Sequence, residues 1–128
     1  MTNANISAGS TISVYQSWGM GRDEGDDLRQ MVRRGSLKDA SRAMARAEGA
    51  YSGCFDLAKD LCLEEIYVAL QNDSHEEGWV KATAAQDGWM VSSGGAPSLS
   101  MGDMLIVSTD GKATVYFVSM VGFEEVPV

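Results

Sequence analysis

Met104-Leu105-Ile106-Val107-Ser108-Thr109-Asp110-Gly111-Lys112-Ala113-Thr114-Val115-Tyr116-Phe117-Val118-Ser119-Met120 is the stretch whose reading decides the fold. Two runs rich in β-branched and aromatic residues, Met104 to Ser108 and Thr114 to Met120, flank Asp110-Gly111. That dipeptide tolerates the positive φ of a tight hairpin turn, so the spacing predicts a C-terminal β-hairpin. Gly122, Phe123, Glu124 and Glu125 follow it, and Val126 to Val128 either add a last pairing or hang free.

Working back from the hairpin, Ser92 to Ser100 contains Gly94, Gly95 and Pro97 and reads as a loop. Trp79, Val80, Ala82 and Ala84 fit a short extended piece, preceded by the polar run Gln71 to Gly78. In Leu61 to Leu70, the residues Leu63, Ile66, Tyr67 and Leu70 form a helical stripe, with Glu64 and Glu65 in the first turns where the macrodipole favours them. Tyr51 to Ala58 alternates as a strand. Leu37, Ala40, Ala43, Met44 and Ala47 recur at helical spacing behind Ser36, which predicts a helix from 37 to 48 that Gly49 closes. A short helix capped by Asp26 or Asp27 is expected through Arg34, ended by Gly35, after an acidic loop over Gly19 to Asp27. Thr11 to Trp18 alternates as a first strand.

These elements predict an α+β fold, a small mostly antiparallel sheet with two to three helices packed on one face and a C-terminal β-hairpin. Residues 1–10, rich in Ser, Asn and Thr, are expected to fray, leaving 11–128 as a single α+β domain. A length of 128 residues suits one hydrophobic core, and 45% apolar with 22% charged residues lies near the globular average. The longest apolar runs fall well short of the roughly 20 residues of a membrane helix. Met1 to Ser10 has neither the basic nor the apolar region of a signal peptide, so a cytoplasmic location in a host bacterial cell is expected. Cys54 and Cys62 match no zinc or redox spacing and read as buried free thiols.

The formal charge is −8 and unevenly spread: residues 1–55 carry seven basic and six acidic side chains, residues 56–128 three basic and twelve acidic. An acidic surface repels phosphates and favours basic protein partners, so direct nucleic-acid binding is disfavoured.

The stretch Ser98-Leu99-Ser100-Met101-Gly102-Asp103-Met104-Leu105-Ile106, followed by Asp110-Gly111-Lys112, Tyr116-Phe117-Val118 and Gly122-Phe123-Glu124-Glu125, resembles small phage and plasmid domains of the YodL-like kind. Those domains show an S-x-S-V-G-D-[VI]-[IV] signature and a terminal G-F; Met101 stands here where Val is usual. Tyr51, Leu63, Glu64, Glu65, Tyr67, Asn72 and Trp79 match more loosely, so the resemblance spans about residues 50–126. It implies a place on mobile elements, near genes that oppose host defence, and transfers no catalytic residue. The motif also has a plain physical account: Ser98 and Ser100 cap a turn, Gly102 permits positive φ, and Asp103 accepts backbone N–H groups.

No catalytic constellation emerges from the residues. His75 is the single histidine, and with Asp73, Glu76 and Glu77 it fits a solvated loop better than a metal site. No serine sits in a G-x-S-x-G elbow, and Asp23, Glu24, Asp26 and Asp27 lack the EF-hand spacing. These carboxylates would also repel a pyrophosphate at Gly19-x-Gly21. No cofactor and no metal is therefore expected.

The expected function is that of a non-enzymatic, mobile-element-encoded counter-defence protein of the anti-CRISPR or anti-restriction type. Its acidic surface would inhibit a host nuclease or surveillance complex, a protein or ribonucleoprotein partner with a basic surface. The candidate contact residues are Asp73, Glu76, Glu77, Asp87, Glu124 and Glu125, with Trp79 or Trp89 as an apolar anchor. The alternative is an accessory module using Arg34, Lys38, Arg42 and Arg46, which recur every four positions, to touch nucleic acid or an acidic partner. Pairing of an exposed sheet edge with a second copy is a further expectation.

Overall fold

The strongest local signal organises the structure. The computed structural model describes residues 3–71 and 98–127. Strand β1 is Asn5–Ile6, β2 Thr11–Tyr15, β3 Tyr51–Asp56, β4 Leu61–Cys62, β5 Met104–Thr109, β6 Lys112–Ser119 and β7 Gly122–Glu125. Among the described residues the helices are α1 Arg22–Arg33, α2 Leu37–Arg46 and α3 Leu63–Ala69, with a 3-10 turn at Ser17–Gly19. β5 and β6 close around Asp110 and Gly111, whose φ angles of 51° and 81° are the paired positive values of a type I′ turn.

That hairpin is the centre of a five-stranded antiparallel sheet of order β3-β2-β5-β6-β7, and β1 pairs separately with β4. The fold is α+β.

The helices lie on both faces of this sheet, not on one. Leu105, Val107, Tyr116 and Val118 point with Ile12, Val14, Phe55 and Phe123 to the face covered by Leu63 and Ile66 of α3 and by Leu70, which caps that helix. Met104 and Phe117 point to the opposite face, where Leu28 and Val32 of α1 and Leu37, Ala40 and Met44 of α2 pack over them. The reason is visible in the chain: Met104 to Val107 and Val115 to Val118 are apolar at every position, the pattern of strands buried on two sides.

Three local differences have equally local causes. Within the first ten residues Asn5 and Ile6 form a strand, because Ile6 is buried in the α3-side core and the strand pairs with Leu61 and Cys62. That pairing keeps Leu61 and Cys62 extended, so the third helix starts at Leu63, where the Glu65 carboxylate accepts the Cys62 N–H at 3.0 Å. The acidic segment after Gly21 is helical from Arg22, with Asp23 and Glu24 placed where the helix dipole stabilises negative charge. Cys54 and Cys62 are free thiols, half-buried rather than fully buried.

Candidate functional site

The Ser98–Asp103 motif builds a buried polar clamp. Asp103, just before β5, is 2% exposed and accepts the Ser100 N–H at 2.9 Å through Oδ2 and the Ser17 N–H at 3.0 Å through Oδ1. The Ser17 hydroxyl donates to the same Oδ1 at 3.4 Å and accepts from Arg29 of α1 at 2.9 Å; Arg29 in turn pairs with Asp26 at 2.6 Å. Beside it Gln16, fully buried, accepts the Ser52 hydroxyl at 2.6 Å. Burial pushes the Asp103 carboxyl up from 3.8 to about 6, against the pull of its N–H donors, which favour the charged form. Gly102 has φ +92°, and a Cβ there would lie 2.8 Å from the Arg29 side chain. Both carboxylate oxygens of Asp103 are thus engaged, Oδ1 tying the segment before β5 to the 3-10 turn that Arg29 of α1 braces and Oδ2 closing the turn at Ser100, which is the work of a structural tie.

The sequence-derived contact residues separate. Asp73, Glu76, Glu77, Trp79, Asp87 and Trp89, and with them His75, lie outside the described residues. Glu124 and Glu125 are neighbours on β7 but alternate across the sheet. Glu125 sits opposite Tyr116 on the α3 side, where its charge adds to burial in raising the phenol of Tyr116. Glu124 faces the α1 side, in a shallow groove with Arg33 and Met101. The two carboxylates do not form one patch.

Arg34, Lys38, Arg42 and Arg46 are all exposed. Gly35, at φ +77°, ends the first helix, so a continuous stripe exists only for Lys38, Arg42 and Arg46 on α2. Arg42 lies 3.6 Å from Asp39, both about two-thirds exposed, so this pair adds little to stability.

A surface that the sequence reading missed lies on the α3 side. A groove of about 560 Å³ runs between α3 and the β6–β7 turn, lined by Asn3, Glu64, Tyr67, Val118, Met120 and Phe123. Tyr67 meets Phe123 edge to face with ring centroids 6.3 Å apart. Met120 and Val121, the two residues of the turn, are 75% and 70% exposed. The available signal was Gly122, which takes φ 125° after the two apolar turn residues Met120 and Val121. Trp18 is also exposed, its indole N–H held 3.4 Å from Gln16.

Among the described residues no group of three His, Cys, Asp or Glu side chains is placed to hold a metal ion, and no helix is long and apolar enough to cross a membrane. No family model, curated protein or solved structure matches the chain.

Proposed function

We propose that this chain is a phage- or plasmid-encoded, non-enzymatic counter-defence protein that binds and inhibits a host defence nuclease or surveillance complex through an acidic surface. The observation that supports it is the acidic character of the α3 side of the sheet. The basic residues of the first half, Arg22, Arg29, Arg33, Arg34, Lys38, Arg42 and Arg46, belong to the α1–α2 side, where Asp23, Glu24, Asp26, Asp27 and Asp39 accompany them and leave that side mixed in sign. The α3 side presents Glu64 and Glu65 exposed, with Glu125 on the same side of the sheet and Lys59 near Glu65, and α3 itself carries no cation.

Such a face fits the basic channels of nucleic-acid-handling proteins. It competes for them through its charge, and screening by salt weakens the contact. The Ser-x-Ser-x-Gly-Asp motif supports the mobile-element origin through its likeness to YodL-like domains. The test is affinity capture by the tagged protein from lysate of a bacterium carrying CRISPR and restriction systems, at low and high salt. Recovery of a defence complex that washes off at high salt supports the reading; recovery of no protein partner overturns it.

A second reading, an accessory module that touches nucleic acid or an acidic partner, is favoured by one observation: Lys38, Arg42 and Arg46 are aligned and exposed on α2. A mobility shift by the wild type, lost when the three become Glu, would establish it.

A further inference from the structure

We infer that the groove between α3 and the Met120–Val121 turn is the docking site for an apolar segment of a partner protein flanked by lysine or arginine. The inference rests on the acidic-surface reading and names the part of that surface that does the binding.

The two hairpins of the sheet make the contrast. Asp110-Gly111 fills its turn with residues suited to positive φ and to water. The β6–β7 turn has the same two-residue length, between Ser119 and Gly122, yet places Met120 and Val121 in solvent. Local backbone chemistry does not call for these side chains, and they fill no core, so contact with another molecule is the use left for them. Methionine suits such a role because its flexible thioether adapts to the surface it meets.

The groove beside the turn continues the apolar surface. Phe123 and Val118 form its floor and Tyr67 its wall. Val68, also exposed, extends the surface along α3, one helical turn on from Glu64. Among the described residues lining the groove, the Glu64 carboxylate is the charged group, and Glu125 lies on the same side of the sheet. Met120 and Val121 also line a smaller groove on the other side of the turn, where Arg33 and Glu124 stand together. The occupant that complements this arrangement has apolar side chains for Met120, Val121 and Tyr67 and cationic ones for Glu64 and Glu125.

The experiment is a titration of the ¹⁵N-labelled full chain, followed by amide NMR shifts, with three synthetic peptides: alternating Lys-Leu, alternating Glu-Leu and alternating Lys-Ser. Saturable shifts centred on Tyr67, Met120, Val121 and Gly122 with Lys-Leu alone are expected. Glu64→Lys, and separately the pair Met120→Asp and Val121→Asp, should each weaken that binding by roughly tenfold. These side chains are exposed, so a dispersed amide spectrum and an unchanged Tm confirm that the variants fold. Equal binding of Glu-Leu or Lys-Ser, or shifts spread over distant carboxylates, overturns the inference. So does concentration-dependent self-association abolished by the turn variants, because the occupant is then a second copy. If the turn variants capture the same defence complex as the wild type, the docking site is wrong and the counter-defence reading stands. If Lys-Leu seats in the groove and no defence complex is captured, the reverse holds.

Discussion

The carboxylate of Asp103 accepts the backbone N–H of Ser17 at 3.0 Å, across 86 positions of sequence, while its other oxygen closes the turn at Ser100. One side chain therefore satisfies two backbone donors, that of buried Ser17 and that of the exposed turn residue Ser100. Asp103→Ala leaves both N–H groups without an acceptor and should lower stability by about 2–4 kcal/mol, read as a drop in the urea midpoint with unchanged slope. Asp103→Asn keeps one acceptor and sheds the buried charge, and should stay within about 1 kcal/mol of wild type at pH 7.

The same residue gives the fold a pH dependence. In the folded protein the Asp103 carboxyl is pushed up from 3.8 to about 6, chiefly by burial. Between those values the folded state holds a proton that the unfolded chain has released. The stability owed to this group is therefore greatest below the lower value, falls as pH rises through the window, and stays low above it. The decline amounts to roughly 3 kcal/mol relative to Asp103→Asn, and comparing urea midpoints of the two proteins at pH 4 and pH 7 measures it. Parallel pH profiles would show that Asp103 does not titrate in that range.

Gly102 is tested by adding a single methyl group. With φ at +92° and a Cβ due 2.8 Å from Arg29, Gly102→Ala combines backbone strain with displacement of the side chain that braces Ser17. A loss of about 2 kcal/mol is expected, visible as a lower Tm and as faster hydrogen exchange at the Ser17 amide.

Changing Lys38, Arg42 and Arg46 to Glu alters charge without touching the core, since α2 buries Leu37, Ala40 and Met44 on its other side. Stability should move by less than about 1 kcal/mol, because the Arg42–Asp39 pair is exposed. Capture of a basic partner should persist. A variant that folds but loses all partner binding would shift the functional surface to α2.

The β5–β6 hairpin was legible because Asp110-Gly111 carries its own conformational preference, and α2 because its apolar residues repeat with the helical period. The second helical layer is written in the sequence too, as apolar residues at consecutive positions in β5 and β6, which a strand with one solvent face does not carry. β1 and β4 could not be read, since two-residue strands have no period and their pairing joins distant parts of the chain. Of the clamp, Ser100, Gly102 and Asp103 were legible as a capped turn, whereas Ser17, Gln16 and Arg29 enter through tertiary packing that no local pattern encodes. Met120 resembled the end of a strand; only the register showed it to be the tip of a turn.

The Asn3 side chain accepts the N–H of Glu64 at 2.9 Å, and Asn3 also lines the groove beside Tyr67. A helix start is thereby stapled by a residue from the far end of the sequence, and one wall of the groove is borrowed from the same place. Where a fusion tag is attached thus ceases to be a neutral choice: trimming the chain up to Ile6 would strip the staple, the β1 strand and part of that wall together, while a C-terminal tag leaves all three in place.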